Sequence, residues 1–315
     1  MTEISIIVPT RNRADRLRAL LGSLAEQQGV PPFEVIVVDN ASDDGTLAAV
    51  AEADAVANAH VRAIHLPTPM GPAVARNHGW RSARGELVVF TDDDVVAQPD
   101  WLAKLAEAHK RDPDAVIQGR TVPDPREAHR LSAFARSQST SGPGPWFQTC
   151  NIGYPRALLQ ELDGFDESFW EAAGEDTDLG WRAVERGTRV VYEPQAVNWH
   201  AVHEPGAWQL IRSTQKWRLG VRNVARHPQL RDALHRRIFW KPAHERLLLA
   251  LGGLVLVRRA PAVTVAAVMA YAAIHRSQHG SYAGTAAALP AHLALDSAEL
   301  VAMVRGSIDA GTFVL

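Results

Sequence analysis

Four short apolar runs alternate with segments of helical periodicity near the start of the chain, and this alternation restricts the fold more than any other feature. The runs cover residues 4–8, 35–38, 61–66 and 87–91. Leucines at positions 17, 20, 21 and 24 predict a helix over 14–28, and two further helices are predicted over 46–57 and 71–83. Strand–helix alternation at this rhythm predicts an α/β fold with a doubly wound, mostly parallel sheet.

Polar residues stand where three of these strands end. Thr10 follows the first run, and Asp39 follows the second. Asp92, Asp93 and Asp94 follow the fourth. Because ligands bind beyond the carboxyl ends of the strands in doubly wound sheets, we expect these side chains to contribute to one site.

The three adjacent aspartates repel one another, and repulsion raises the pKa of each unless a cation or a set of donors compensates. Mg²⁺ or Mn²⁺ takes one or two carboxylates together with substrate phosphates, so a divalent cation is one solution. The other is a solvated turn before a helix that starts near Pro99, since proline is tolerated at the first helical position.

A second acidic segment, GEDTD, precedes a helix predicted over 177–186. The helix dipole favours acidic residues at this end, which gives Glu175 and Asp176 a purely structural explanation. The alternative is that Phe169 and Trp170 partly desolvate a neighbouring carboxylate. Desolvation raises the pKa of a carboxyl toward the range that suits a general base.

Composition and missing motifs exclude several classes of protein. The chain has 315 residues and a net charge of −2, so no global attraction to nucleic acid is expected. Its one cysteine, Cys150, excludes an intramolecular disulfide and a cysteine-built zinc site. Because the sequence opens directly into a strand pattern without signal-peptide features, we expect a cytoplasmic protein. Dinucleotide, P-loop, serine-hydrolase and zinc-protease motifs do not occur.

Taken together, several motifs in the first 205 residues resemble the inverting glycosyltransferase family 2, which has the GT-A fold. They are SIIVPTRNR (5–13), VIVVDNASDDGT (35–46), MGPAVARNHGWRSARGELVVFTDDD (70–94), the segment around Asn151, GFDESFWEAAGEDTDLGWR (164–182) and the histidine after VNW. The resemblance implies a nucleotide-sugar-binding and catalytic GT-A domain over 1–205, followed by a C-terminal helical region over 206–315. Asp163 replaces the first of two glycines that the family often has, so a different local turn is expected there.

The resemblance also implies roles for individual residues. Nucleotide-sugar binding is implied for Pro9, Thr10, Arg13, Asp39, Arg76, Asp92 and Asp93, with Asp39 on the base and Asp92 toward the ribose. Asp94 and His200 would hold a divalent metal, Mn²⁺ or Mg²⁺, with His203 as the competing metal ligand. Asp176 would be the general base.

The implied function is metal-dependent, inverting transfer of a sugar from a nucleotide-diphosphate sugar to a hydroxyl of a glycan, a lipid-linked acceptor or a small molecule. A nucleotidyltransferase of similar fold is one alternative, although it should carry a glycine-rich segment after the first strand, and residues 10–13 contain no glycine. A non-catalytic sugar-nucleotide-binding protein is the other. The intact set of Asp92, Asp94, Asp176 and His200 argues against it.

The last third of the chain has a different character. Residues 206–246 carry ten cations against two anions, a net charge of +8, with interleaved tryptophans. Apolar runs follow over 247–257 and 260–274, and both are shorter than the ~20 residues that span a bilayer. These runs are either core helices of a helical region or a surface in peripheral contact with the inner face of a membrane. Nucleic acid is not an expected partner.

Overall fold

The computed structural model describes residues 3–54, 60–279 and 281–315 of the chain. These residues form two compact units. The first comprises Met1–Arg130 and Ser137–His203, and the second comprises Leu131–Arg136 and Glu204–Leu315. The predicted functional division at residues 205 and 206 stays a prediction.

The first unit is built on one sheet, whose eight described strands run in the order β3-β2-β1-β4-β7-β6-β8-β5. The strands are β1 Ile4–Thr10, β2 Phe33–Asn40, β3 His60–Leu66, β4 Leu87–Thr91, β5 Val95–Ala97, β6 Val116–Pro123, β7 Asn151–Pro155 and β8 Val190–His200. Pairing is parallel for β1 with β2, β1 with β4, β2 with β3 and β6 with β8. It is antiparallel for β4 with β7, β6 with β7 and β5 with β8. The mostly parallel sheet of the sequence prediction is thus confirmed.

Helices cover both faces of this sheet, which explains why its strands are apolar without alternation. They are α1 Ala14–Ala25, α2 Thr46–Asp54, α3 Pro72–Arg81, α4 Trp101–Arg111, α5 Arg156–Leu162 and α6 Glu175–Glu185. On β1, Ile6 joins the core under α1, α2 and α4, whereas its neighbour Ile7 joins the core under α3, α5 and α6. The fold therefore has three layers, as the doubly wound prediction requires.

The structure differs from the sequence prediction mainly in the second half of the sheet. The sequence pattern does not predict β5 or β6. It predicts a short strand over 190–192, whereas β8 continues to His200. The pairing of β6 with β8 shifts between Gly119 and Arg120, which pair with Glu193 and Val197. Pro194 lies among the β8 residues that this shift leaves unpaired with β6. An irregularity of this kind tolerates a proline, which breaks the apolar pattern of the strand in the sequence. The helix expected near Pro99 begins at Trp101, and residues 55–57 of the predicted second helix lie outside the described residues.

The second unit is helical, as predicted for the C-terminal region. Its helices are α7 Ala207–Ser213, α8 Trp217–Arg226, α9 Pro242–Val255, α10 Pro261–Ile274 and α11 Tyr282–Ala310. Buried Asp296 of α11 connects this helix to α10 and to the start of α9. It accepts a hydrogen bond of 2.8 Å from the Tyr271 hydroxyl, and one of its oxygens lies 2.6 Å from Lys241 Nζ. Among the helices that the structure describes, only α11 is long and apolar enough to cross a membrane, by length and composition alone. Core helices of compact proteins also meet that criterion.

Helix α6 is held in place by the segment that precedes β7. Thr177 Oγ1 donates to the Trp146 carbonyl at 2.9 Å, and Trp181 Nε1 donates to the Pro145 carbonyl at 3.0 Å. Between them the Phe147 ring packs on Gly180, where an added Cβ would lie 2.0 Å from the ring. Glycine at this position therefore permits the close contact between α6 and the Phe147 ring.

We predict that Gly180→Ala lowers the free energy of unfolding by about 1–3 kcal/mol, because the ring or the helix must move. The matched control is Gly22→Ala on α1, where an added Cβ meets no described atom within 4 Å. That change should raise the free energy of unfolding by up to ~1 kcal/mol through helix propensity. Urea denaturation of the two variants measures the difference, and equal effects would contradict the packing of Phe147 on Gly180.

Candidate active site

The predicted site residues gather at one edge of the sheet. Thr10 and Asp39 are paired in register at the ends of β1 and β2, and the aspartate triplet follows β4 directly. Strand β8 runs in the same direction as β4, since β7 is antiparallel to β4 and to β6, and β6 is parallel to β8. His200, the last residue of β8, therefore lies at the same edge as the triplet.

The short strand β5 brings Asp94 to the histidines. Its first residue, Val95, pairs with His200, and the Ala201 amide donates to the Asp94 carbonyl at 2.9 Å. The Asp94 carboxylate then faces two imidazoles, with Oδ2 at 2.7 Å from His203 Nε2 and Oδ1 at 3.4 Å from His200 Nε2. One ligand atom from each of the three residues lies within 4.8 Å of the others. The structure thus joins all three predicted metal-binding residues, including both competing histidines.

The hydrogen bonds around Asp94 fit a bound cation. His200 Nδ1 lies 2.9 Å from the Ala201 carbonyl, which only accepts, so Nδ1 carries the proton and Nε2 of the neutral ring has a free lone pair. That lone pair faces Asp94 Oδ1, a buried oxygen that accepts no hydrogen bond from any described residue. Two acceptors that face each other call for a cation or a proton between them. A mixed carboxylate and imidazole set suits a divalent metal.

The two histidines differ in their hydrogen bonding. His203 Nε2 donates to the Asp94 carboxylate and so carries a proton in this arrangement, whereas His200 Nε2 does not. Burial alone would raise the pKa of Asp94, but the hydrogen bond from His203 and the positive charge of Arg13 oppose this and contribute to a pKa of about 2. Asp94 is therefore ionised and ready to bind a cation at neutral pH.

Asp93 is held by Thr10, the last residue of β1, and by Arg13, which lies shortly after the strand. Thr10 Oγ1 donates to Asp93 Oδ2 at 2.7 Å, and Arg13 Nη1 lies 2.8 Å from Oδ1. The same Arg13 nitrogen donates to Asp94 Oδ2 at 3.0 Å. Burial raises the pKa of Asp93 to about 6, although the charge of Arg13 opposes this. The proposed contacts of Thr10, Arg13 and Asp93 with a nucleotide, and that of the adjacent Pro9, stay predictions.

Buried Arg76 on α3 connects the aspartate triplet to the second acidic segment. Its Nη1 donates to Glu175 Oε1 at 2.7 Å, and its Nη2 donates to Asp92 Oδ1 at 3.3 Å. Both terminal nitrogens of Arg76 thus donate to carboxylates of the protein itself. The contact of Arg76 with a nucleotide stays a prediction. Sequence reasoning missed Glu175 as the partner of Arg76, since 99 residues separate the two.

Asp176 stands beside this ion pair at the N-terminus of α6. Burial and the adjacent charge of Glu175 raise the pKa of Asp176 to about 7, although the charge of Arg76 opposes the rise. The residue nevertheless keeps part of its surface exposed. Phe169 is fully buried, whereas Trp170, the other aromatic residue expected to desolvate this carboxylate, is half exposed. Asp176 has the pKa and the access that a general base needs near neutral pH.

Asp39, which is predicted to bind the nucleobase, has a partner that the sequence did not suggest. Its buried carboxylate accepts from the Ser42 amide at 3.1 Å, and Oδ2 lies 2.7 Å from His65 Nδ1. His65 is paired with Asp39 in register on β3, so only knowledge of the strand pairing could have revealed it.

Asn151 and Asp163 each have a structural role in the first unit. The Asn151 side chain is fully used inside the sheet: it accepts from Trp101 Nε1 and donates to the Arg120 and Ala196 carbonyls, each at 2.9 Å. Asp163 ends α5 with a φ of 55°, in the left-handed region that favours glycine and that aspartate tolerates. Aspartate therefore closes this turn in a conformation that glycine would also adopt.

Comparison with known proteins agrees with this geometry. The family model described as "Glycosyl transferase family 2" matches residues 5–162, and that described as "Glycosyl transferase family group 2" matches residues 87–275. The chain belongs to glycosyltransferase family 2.

Relatives of this family 2 chain include the pre-mycofactocin glycosyltransferase of Mycobacterium tuberculosis, which is 32% identical over 213 residues. The match covers 63% of this chain but only 42% of that relative. The validoxylamine A glucosyltransferase of Streptomyces hygroscopicus subsp. jinggangensis is 29% identical over 289 residues, covering 78% of this chain and 67% of that enzyme.

A solved structure of the same kind is the mannosyltransferase PcManGT from Pyrobaculum calidifontis, in complex with GDP-Man and Mn²⁺. It has a TM-score of 0.60 and 25% identity, and the match covers 98% of this chain and 87% of that one. The GT-A fold is therefore established for this member of the family.

We predict that Asp94→Ala abolishes binding of Mn²⁺, because the other two ligands are imidazoles that cannot supply its negative charge. His200→Gln should weaken Mn²⁺ binding by about 10–100-fold, and by more than His203→Gln does, because only His200 presents a free Nε2 lone pair. Titration calorimetry with Mn²⁺ alone measures these affinities, with the exposed Asp100→Ala as the control. Wild-type affinity in Asp94→Ala would show that the triplet is only a turn.

Proposed function

We propose that this glycosyltransferase family 2 chain transfers a sugar from a nucleotide-diphosphate sugar to an acceptor hydroxyl, with inversion at the anomeric carbon. The observation that carries the proposal is the connection through Arg76. One guanidinium contacts both Asp92, at the start of the triplet that leads to the candidate cation site, and Glu175, beside a carboxyl whose pKa is about 7. The position that we assign to the leaving diphosphate would thus lie close to the one that we assign to proton removal.

The reaction makes opposite demands on the two parts of this site. The bond between the anomeric carbon and the acceptor oxygen forms while the bond to the diphosphate oxygen breaks, so negative charge develops on the leaving group. A divalent cation held by Asp94 and His200 would supply Lewis-acid stabilisation of that charge. At the same time the acceptor hydroxyl loses its proton to the Asp176 carboxylate. A single displacement of this kind inverts the anomeric carbon and needs no covalent enzyme intermediate.

Donor recognition is assigned to the ends of the first strands. The Ser42 amide and His65 orient Asp39. In this proposal Asp39 would accept a hydrogen bond from the nucleobase. Thr10 and Arg13 hold Asp93, which would lie beside the diphosphate of the donor. PcManGT was solved with GDP-Man and Mn²⁺, which supports a nucleotide sugar and a divalent metal as the classes of ligand here. Family membership favours glycosyl transfer over the nucleotidyltransferase alternative.

We predict that Asp176→Asn lowers kcat by roughly 10²-fold or more and leaves donor affinity within a few-fold, because the amide cannot accept the proton. The control is Glu171→Gln, an exposed acid in the same segment, which should leave both quantities unchanged. A panel of nucleotide sugars, first screened by Mn²⁺-dependent thermal stabilisation, identifies the donor for this assay. If donor binding and kcat fall together, Asp176 has a structural role instead.

The raised pKa of Asp176 predicts a specific pH dependence. Below about pH 7 this carboxyl is protonated in the free enzyme and cannot act as a base, so kcat/KM should fall as the pH decreases through 7. Because the charge of Arg76 lowers the pKa of Asp176, Arg76→Gln should move the midpoint to higher pH, whatever it does to the maximal rate. A pH profile of kcat/KM for both proteins tests this. A midpoint near 4, the ordinary pKa of an aspartate, would contradict the assignment.

A further inference from the structure

Helices α9 and α10 form a hairpin whose two halves are closely joined. Thr264 Oγ1 donates to the Gly253 carbonyl at 2.5 Å. A Cβ added to Gly253 would lie 3.3 Å from the Ala267 Cβ, so the glycine permits this close approach. The hairpin is therefore a packed element with a defined outer surface.

That outer surface is apolar and uncovered. Val255 is 84% exposed, and Val265 and Met269 are each more than 60% exposed. The four consecutive apolar residues from Leu254 to Val257 are all exposed at the end of α9. Compact monomers rarely leave adjoining apolar side chains in water, so an uncovered surface of this kind marks an interaction site.

The charges of the hairpin indicate the chemistry of the partner. Between residues 247 and 274 the only charged residues are Arg258 and Arg259, at the turn. Both are exposed, and neither forms an ion pair with any residue in the described part of the chain. By contrast, Arg236 and Arg237 of the same unit are paired, Arg236 with Glu245 at 3.1 Å and Arg237 with Asp232. The hairpin thus presents two uncompensated cations within an apolar surface.

We propose that the α9–α10 hairpin binds the surface of an anionic phospholipid membrane. The exposed apolar side chains enter the boundary between headgroups and acyl chains, and Arg258 and Arg259 contact the phosphates. Each helix has 14 residues and is about 21 Å long, shorter than the ~30 Å hydrocarbon core, so the hairpin lies in the interface and does not span it. This assignment does not depend on the proposed glycosyl transfer.

A lipid surface fits the hairpin better than a second copy of the chain does. Two hairpins packed on each other would cover their apolar side chains. However, residues 247–274 contain no acidic residue that could face the arginines of the partner copy. An anionic membrane both covers the apolar side chains and provides negative charge opposite the arginines.

Co-sedimentation of the full chain with phosphatidylcholine vesicles, with and without phosphatidylglycerol, tests the proposal. We expect binding to the anionic vesicles that weakens with salt, and little binding to the neutral ones. The double variant Arg258→Gln, Arg259→Gln should weaken binding roughly 30-fold, since each cation near the surface contributes about fivefold. The paired arginines provide the matched control, and Arg236→Gln, Arg237→Gln should change binding by less than about threefold.

The apolar contribution is tested separately. The double variant Val255→Ser, Val265→Ser should weaken binding to anionic vesicles by about tenfold or more. Its control is Ile308→Ser, an apolar residue outside the hairpin that is 76% exposed and should have no effect. Because all these positions are exposed, circular dichroism should show unchanged folding.

Three results would overturn the proposal. The first is no binding of the wild-type chain to anionic vesicles. The second is equal loss in a hairpin variant and its control. The third is a dimer in sedimentation equilibrium that Val255→Ser, Val265→Ser dissociates while vesicle binding stays unchanged, since the surface would then be a contact between two copies.

Discussion

Three adjacent carboxylates at the edge of a sheet repel one another unless cations or hydrogen-bond donors compensate them, and the first unit supplies such partners to each of the three. Asp92 is paired with Arg76, and Asp93 is held by Arg13 and a threonine hydroxyl. Asp94 faces two imidazoles. One of them, His200, directs an unprotonated Nε2 toward Asp94 Oδ1, which accepts no hydrogen bond from any described residue. Burying a charge without such partners costs several kcal/mol, so most of the polar contacts at this edge follow from the triplet. The third carboxylate is the one left for a cation.

The same compensation extends to the second acidic segment. Arg76 is shared between Asp92 and Glu175, so two acidic segments far apart in the chain depend on one buried guanidinium. Asp176, next to Glu175, forms no ion pair with any residue that the structure describes, and burial together with the charge of Glu175 raises its pKa to about 7 against the opposing charge of Arg76. The same fold thus keeps Asp94 ionised well below neutral pH and brings the pKa of Asp176 close to neutral pH. Cation binding and proton removal require these different states.

The sequence was sufficient for what depends on local pattern. Strand β4 has the predicted bounds, because a continuous apolar run specifies it locally. It was insufficient where pairing between distant segments decides. Strand β5 has three residues and no periodicity of its own, yet its pairing with β8 is what sets Asp94 beside His200. The preference for His200 over His203 as a metal ligand likewise rests on hydrogen-bond geometry, because His200 is the last residue of β8 and His203 lies only three positions later.

The central claim is that a divalent cation binds where the aspartate triplet meets the end of β8. A crystal of the chain grown with Mn²⁺ and a nucleoside diphosphate, measured at the manganese absorption edge, tests it most directly. We predict a single strong anomalous peak within bonding distance of the Asp94 carboxylate and of His200 Nε2. A peak elsewhere, or no peak at this edge of the sheet while the nucleotide is bound, would contradict the account.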